Sequence, residues 1–81
     1  MRVRVRLFAT LREAAGADRL ELDLAAPATA EDAWRRVARE HPALAGHRAS
    51  LTAAVNRRYA AWDEAVSEGD EIAFIPPVSG G

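Results

Sequence analysis

The sequence predicts an α+β protein in which one main helix packs on one face of a sheet of four or five strands. Residues 1–8 and 20–24 alternate between apolar and charged side chains, which is the period of a half-buried strand. Residues 30–41 instead repeat apolar side chains at helical spacing. A sheet with its helix on one face is the simplest architecture that buries both patterns.

Composition limits the class of protein. The chain has 81 residues, 49% of them hydrophobic and 28% charged, which suits one small globular domain and argues against disorder. Its apolar runs are far shorter than the ~20 residues that cross a bilayer, and no signal-peptide pattern opens it, so we expect a cytoplasmic protein without a membrane partner. The net charge of −1 gives no overall attraction to nucleic acid. Because cysteine is absent, disulfides and thiolate chemistry are excluded.

The first predicted strand alternates strictly between arginine and apolar residues. Its apolar members are expected in the core and its arginines in water: Val3, Val5 and Leu7 against Arg2, Arg4 and Arg6. Without interleaved aromatic residues or overall basicity, the arginine row indicates a solvated strand face rather than a phosphate-binding stripe. Such a row can also dock an acidic partner.

A short helix and a second strand follow. Thr10 and Glu13 have the spacing of a capping box, and Gly16 supplies a left-handed end, so the sequence predicts a helix between them. Residues 20–24 then alternate leucine with acidic residues. The acidic face of this second strand would complement the arginine face if the two strands pair.

The main helix has clear signals at both ends. Thr29 is the predicted N-cap, and Pro42 ends the helix. Its buried stripe comprises Ala30, Ala33, Trp34, Val37, Ala38 and His41. Two ion pairs of i,i+4 spacing are expected on the opposite side, Glu31 with Arg35 and Asp32 with Arg36.

Short strands joined by turns are predicted for the second half of the chain. Residues 51–55 and 71–75 form strands, and 59–62 can form a short returning strand. Residues 56–58 and 67–70 are turns between them. Pro76 and Pro77 then stop the last strand because neither can donate to a ladder.

No motif of a stand-alone enzyme is present. His41 and His47 lack the spacing and the cysteine partners of a metal site, so no metal ligand is predicted. The acidic pairs 63–64 and 70–71 adjoin turns, where solvated carboxylates are ordinary. Pockets of ~300–1,000 Å³ are also hard to build in so small a core.

The C-terminal end is unusual. Two prolines lead into Val78, Ser79, Gly80 and Gly81, and glycines without Cβ atoms can pass through a channel too narrow for a side chain. Such a tail suits insertion into the active site of another protein. Its α-carboxylate is ionised and unreactive at neutral pH, so using it would require activation, for instance as an acyl-adenylate. Taken alone, a frayed glycine terminus is the simpler interpretation.

Longer motifs resemble the MoaD family, the small subunits of molybdopterin synthase. The motifs are Ala54-Val55-Asn56, Asp63, Gly69-Asp70-Glu71-Ile72-Ala73-Phe74-Ile75-Pro76-Pro77-Val78-Ser79-Gly80-Gly81 and, near the start, Phe8-Ala9, Leu11-Arg12-Glu13 and Gly16. The match spans nearly the whole chain and is weakest between residues 25 and 50. It implies a ubiquitin-like β-grasp fold with a mixed sheet over residues 1–77 and a flexible Gly-Gly tail at 78–81.

The resemblance also implies a mechanism. Gly81 would be adenylated by an E1-like, MoeB-like enzyme that uses ATP, and then converted to a thiocarboxylate, with no cofactor bound by this chain. Inside a heterotetramer with a MoaE-like large subunit, the tail would give its sulfur to cyclic pyranopterin monophosphate to form the molybdopterin dithiolene. The implied partner contacts are Gly80, Ser79, Val78, Pro77 and Pro76. Phe74 is a candidate for the docking surface, although packing in the core is the simpler interpretation and the alternative to it.

Two other functions stay open at this point. A related carrier could deliver sulfur to thiamine, to a transfer RNA base or to cysteine synthesis. The chain could instead be a ubiquitin-like binding module or a protein modifier. It has no lysine and so could not form lysine-linked chains with itself.

Overall fold

A five-stranded mixed sheet with helices on one face makes up most of the computed structural model, which describes residues 1–77. The elements, in chain order, are β1 (Arg2–Leu7), α1 (Ala9–Ala15), β2 (Arg19–Asp23), β3 (Ala28–Thr29), α2 (Ala30–Glu40), a 3₁₀ helix (Pro42–Ser50), β4 (Thr52–Val55), β5 (Arg58–Ala60), β6 (Ala65–Val66) and β7 (Glu71–Ile75). This architecture confirms the predicted α+β class and the β-grasp arrangement, with its sheet of four or five strands and one main helix.

The strand order places the last strand at the centre. The sheet runs β2-β1-β7-β4-β5, with β1 and β7 parallel and the other neighbours antiparallel. The chain therefore continues beyond β7 from the middle of the sheet. A second small sheet of β3 and β6 was not predicted, because strands of two residues are too short to show an alternating pattern.

The antiparallel pair of β1 and β2 confirms the predicted buried and solvent-exposed faces of both strands. Val3, Val5 and Leu7 are at most 1% exposed, and the arginines between them lie on the other face. Arg2 forms ion pairs with Glu21 and Asp23 of β2, with Nε–O distances of 3.3 and 3.6 Å. The acidic face of β2 thus complements the arginine face, although such exposed pairs contribute little to stability.

Helix α1 ends where the sequence predicts but begins earlier. Phe8 is the N-cap residue, and within residues 1–77 no side chain caps this helix, so the capping box predicted from Thr10 and Glu13 is wrong. Leu11 is fully buried and donates its N–H to the Phe8 carbonyl at 3.0 Å, which places Thr10 inside the first turn. Gly16 adopts the left-handed conformation at φ 73° as predicted.

Helix α2 begins with the predicted cap. The Thr29 hydroxyl accepts the Asp32 N–H at 3.1 Å, and the Asp32 carboxylate accepts the Thr29 N–H at 2.9 Å. The next two amides donate to the backbone carbonyls of Glu64 and Trp62. The backbone N–H groups of residues 29–32 therefore all have hydrogen-bond acceptors. The same hydrogen bonds connect the loop before β6 to the N-terminus of α2.

The ion pairs along α2 differ from the prediction. In the described part of the chain, neither expected pair forms: Glu31–Arg35 and Asp32–Arg36. Asp32 is engaged in the cap, so Arg36 pairs instead with Glu40 at 2.6 Å. Glu31 pairs with Arg48 of the 3₁₀ helix. That 3₁₀ helix was itself not predicted, although α2 does end before Pro42.

The core lies between the sheet and the helices. The predicted stripe of α2 is buried at Ala30, Ala33, Trp34 and Val37 and half-buried at Ala38 and His41. From the sheet side, Ile72 and Phe74 of β7 are 0% exposed, and Phe74 is the largest of the fully buried side chains in residues 1–77. The side chains of β7 that point away from the helices belong to the opposite face, which is described below.

Candidate functional site

The chain leaves β7 at the border of the uncovered side of the sheet. We call this side the open face; it carries Glu71, Ala73 and Ile75 from β7, all half-buried, while alternate residues of β7 are in the core. After Ile75, Pro76 is half-buried and Pro77 is exposed. The C-terminal segment therefore starts from the central strand, next to a surface that no helix of residues 1–77 covers.

The structure describes only some of the predicted site residues. Pro76 and Pro77 directly follow β7 as expected, whereas Val78, Ser79, Gly80 and Gly81 lie outside the described residues. Phe74 is 0% exposed and lies between Trp34 and Trp62. It therefore packs in the core, the alternative stated above, and has no surface with which to dock a partner.

Exposed aromatic side chains lie beside the origin of the tail. Phe8 and Tyr59 are 36% and 78% exposed, and with Ile75 they form what we call the apolar end of the open face. A groove of about 320 Å³ lies there on the surface of the sheet, outside the core, and the small residues Ala54 and Ala73 help to line it. Sequence reasoning missed Phe8 and Tyr59 as site residues. The two residues differ in their sequence context: Tyr59 follows Arg58 in β5, whereas Phe8 directly follows β1 as the N-cap residue of α1.

The other part of the open face is charged. A cavity of about 500 Å³ is lined by four arginines and two glutamates, Arg4, Arg6, Arg19, Arg57, Glu21 and Glu71. We call this set the charged end. Part of its charge is neutralised internally, as in the 3.9 Å pair of Arg57 and Glu71. The open face thus offers apolar contact beside the end of β7 and ionic contact in the adjoining charged end.

Residues of the family-like motif also have structural roles. Asn56 and Arg57 take φ values of 51° and 68°, the left-handed pair that a tight hairpin requires. The Asn56 amide nitrogen donates to Asp70 at 2.9 Å, and its oxygen accepts the Glu71 N–H at 3.0 Å. Asp70 also accepts the Ser67 N–H at 2.8 Å. This network fixes the start of β7, so Asp70 is explained by folding and not by catalysis.

One strongly held ion pair belongs to the helical layer. Arg48 donates to both carboxylate oxygens of Glu31, with the shortest distance, Nη2–Oε1, at 2.6 Å. These hydrogen bonds lower the pKa of Glu31 from its ordinary value, although partial burial acts in the opposite direction. The arginine also lies over the Trp62 ring, with Cζ 3.4 Å from the centroid. The pair secures the scaffold rather than a reaction.

The described residues contain neither a metal site nor a membrane-spanning helix. Over residues 1–77, no group of three histidine, aspartate or glutamate side chains is arranged to hold a metal ion. His41 is the C-cap of α2, and His47 lies in the 3₁₀ helix. In that same range, no helix is long and apolar enough to cross a membrane.

A mixed sheet with its last strand at the centre and helices on one face defines the class of ubiquitin-like β-grasp proteins. Comparison with protein families narrows that class. Residues 5–81 match the ThiS family, and the chain belongs to this family.

Individual relatives match along their whole length. The chain is 37% identical to the molybdopterin synthase sulfur carrier subunit of Chlamydomonas reinhardtii, with 100% of both chains covered. It is 38% identical to the subunit of the same name from Escherichia coli, covering 98% of this chain and 99% of the relative. These matches confirm the resemblance to the sulfur carrier subunits.

A second kind of relative carries a different name. Small archaeal modifier protein 1 of Haloferax volcanii is 39% identical, with 94% of this chain and 97% of the relative covered. The crystal structure of SAMP1 from that organism superimposes with a TM-score of 0.89 at 34% identity, with full coverage of both chains. The β-grasp fold is therefore common to the carriers and the modifier.

Proposed function

We propose that this chain is the sulfur carrier subunit of a molybdopterin synthase. The observation that carries the proposal is the full-length similarity to two such subunits in a chain whose Gly-Gly end follows the central strand of a β-grasp sheet. The strand gives the tail a rigid origin, and the two terminal glycines give it the slimmest backbone available.

The proposed reaction takes place at the carboxylate of Gly81. That carboxylate attacks the α-phosphate of ATP in an E1-like, MoeB-like enzyme and releases pyrophosphate, which gives an acyl-adenylate. A sulfur donor then displaces AMP and leaves a thiocarboxylate, so that one carboxylate oxygen departs with AMP. Activation is needed because an ionised carboxylate is a poor electrophile at neutral pH. An ATP-dependent step also agrees with the cytoplasmic location predicted from the sequence.

The sulfur is delivered in a second complex. The thiocarboxylate tail enters a MoaE-like large subunit, where its sulfur is transferred to cyclic pyranopterin monophosphate and becomes part of the molybdopterin dithiolene. Water takes the place of sulfur at the acyl carbon and restores the Gly81 carboxylate. In this proposal the inserted segment consists of Val78, Ser79 and Gly80 with the terminal Gly81. It is directed away from the sheet by Pro76 and Pro77. The partners supply the catalytic side chains, and this chain supplies the sulfur-bearing carbon.

The apolar end of the open face is the proposed docking surface. Phe8, Tyr59 and Ile75 lie beside the origin of the tail, so a protein that receives the tail would also cover them. Burying exposed aromatic side chains is the usual source of affinity at such interfaces. Phe8 and Tyr59 replace Phe74 in this role because Phe74 has no exposed surface.

The decisive experiment follows sulfur onto the chain. Wild type is incubated with ATP, the MoeB-like enzyme of the same genome and a sulfur donor, and intact-protein mass spectrometry measures replacement of one oxygen by sulfur. We expect conversion of wild type and none for a variant that lacks Gly81. Circular dichroism should show the same fold for both. Conversion of the truncated chain, or failure of wild type, would overturn the proposal.

Similarity to small archaeal modifier protein 1 favours a second function, attachment of the chain to other proteins. The same acyl-adenylate would then react with an amine of a target protein to form an isopeptide bond and release AMP. The chain contains no lysine, so none of its own side chains could accept another copy in this way. Stable conjugates formed in place of molybdopterin would favour this function over sulfur delivery.

A further inference from the structure

The charges between β1 and β2 are complementary except at one position. Three pairs lie directly across from each other on the open face: Arg2–Asp23, Arg4–Glu21 and Arg6–Arg19. Opposite charges face each other in the first two pairs, but two arginines face each other in the third. Like charges directly opposite in a sheet destabilise it. The chain therefore keeps an unfavourable contact at the end of the sheet next to the tail.

No acidic side chain of residues 1–77 lies directly opposite Arg6 in the sheet. On its other side, in β7, the partner residue is Ala73. Over residues 1–77, neither Arg6 nor Arg19 takes part in a side-chain hydrogen bond or an ion pair, and the Arg6 Nε is buried without a partner. A buried donor without an acceptor costs free energy. The Arg6 guanidinium does lie over the Phe8 ring, with Cζ 5.2 Å from the centroid.

The position of Arg6 connects both parts of the open face. The strand register aligns Arg19, Arg6, Ala73, Ala54 and Tyr59 in one row across the sheet. Arg6 also lines both the charged cavity of about 500 Å³ and the apolar groove of about 320 Å³. A single partner protein that covers the apolar end would therefore also reach Arg6 and Arg19.

We propose that Arg6 and Arg19 together bind a carboxylate side chain of the partner protein that receives the tail. This inference rests on the proposed function and specifies the contact surface of the partner. That surface presents an aspartate or glutamate next to an apolar side chain. A carboxylate between the two guanidinium groups removes their repulsion. When the Arg6 guanidinium turns from Phe8 towards it, Nε gains an acceptor in the bidentate geometry that arginine favours.

The surroundings favour a carboxylate over a phosphate. Glu21 and Glu71 line the same charged cavity, and a multiply charged phosphate would be repelled by both. The adjoining Phe8 and Tyr59 also fit a protein surface better than a nucleotide phosphate.

The test uses a charge reversal with opposite effects on stability and binding. In the free chain, Arg19→Glu places a carboxylate opposite Arg6, so the thermal unfolding midpoint should rise above that of wild type. The same variant occupies the proposed site with its own carboxylate, so its affinity for the MoeB-like enzyme or the MoaE-like subunit should fall at least tenfold by calorimetry. Arg6→Gln should weaken binding in the same assay without adding a competing carboxylate.

Arg35→Glu is the matched control because Arg35 is an exposed arginine of α2 and the change in net charge is identical. It should bind like wild type. Wild-type affinity for both partners in Arg19→Glu, an equal loss in the control, or an unfolding midpoint that does not rise would each overturn the inference. Thiocarboxylate formation is measured on the same samples. If wild type is converted while Arg19→Glu binds normally, only this inference falls; if wild type is not converted, the proposed function falls with it.

Discussion

The indole of Trp62 lies parallel to the ring of Phe74, with 5.8 Å between centroids and an interplanar angle of 5°. Trp34 meets the same ring edge-on at 5.1 Å. Phe74 is the penultimate residue of β7, so this aromatic cluster holds the strand just before the chain continues into the tail. The residue therefore affects the tail through the scaffold on which it is built.

The first prediction concerns this cluster. Phe74→Ala removes a side chain that is 0% exposed and leaves a cavity between two tryptophans, so we expect a loss of about 3–5 kcal/mol in the free energy of unfolding. Because small domains have little stability in reserve, the variant could be largely unfolded. Urea unfolding followed by tryptophan fluorescence measures the change.

Phe8→Ala provides the comparison on the open face. Phe8 is 36% exposed, and we expect its removal to cost less than about 1 kcal/mol while weakening the binding of partners. Equal destabilisation by the two variants would contradict the division between a core phenylalanine and a docking phenylalanine.

The second prediction concerns pH. Arg48 lowers the pKa of Glu31, so the ionised carboxylate favours the folded state. For a carboxylate with a lowered pKa, this stability is present above its unfolded value of about 4.5 and is lost as the pH falls through the folded value. Glu31→Gln should therefore show a smaller drop in unfolding free energy between pH 7 and pH 3 than wild type.

Urea titrations at the two pH values test this prediction. Glu13→Gln, at an exposed position of α1, serves as the control and should follow the wild-type profile. If Glu31→Gln loses as much stability on acidification as wild type, the ion pair with Arg48 does not contribute to acid sensitivity.

The third prediction compares two threonines that look alike in the sequence. Thr29→Ala removes a hydroxyl that accepts the Asp32 N–H and should cost about 0.5–2 kcal/mol. Thr10 lies inside α1 and caps nothing within residues 1–77, so Thr10→Ala should stay within about 0.5 kcal/mol of wild type. Thermal or urea unfolding of both variants decides, and a reversed order would show that α1 begins at Thr10.

These threonines illustrate what the sequence can predict. Local signals were sufficient for the β1 alternation, the Gly16 end of α1 and the cap at Thr29. The spacing of Thr10 and Glu13 predicted a capping box that does not form, because α1 begins earlier, after Phe8. Leu11, which is fully buried, then lies in the first turn of the helix. Similarly, Glu31 pairs with Arg48, a residue distant in sequence that no i,i+4 rule identifies.

Only part of the candidate site could likewise be predicted from the sequence. The Gly-Gly end and its motif are readable in the sequence because they are contiguous. The open face is assembled from strands that are far apart in the chain, and only their register places Arg6 opposite Arg19 or Tyr59 level with Ala73. The hydrophobic pattern of the sequence alone does not separate the two phenylalanines. Phe74 is in the core, and Phe8 is exposed.

The last prediction concerns the width of the passage for the tail. Gly80→Ile adds a β-branched side chain where the proposed mechanism admits only bare backbone, so activation of Gly81 should fall by more than about tenfold, equivalent to ~1.4 kcal/mol. ATP–pyrophosphate exchange and single-turnover sulfur transfer measure the two steps separately. Gly46→Ile is the matched control, since a Cβ at Gly46 meets no heavy atom within 4 Å and its φ is not in the left-handed region. We expect the control to keep wild-type activity and both variants to keep the wild-type thermal midpoint. Full activity of Gly80→Ile in both assays would show that neither partner confines the tail.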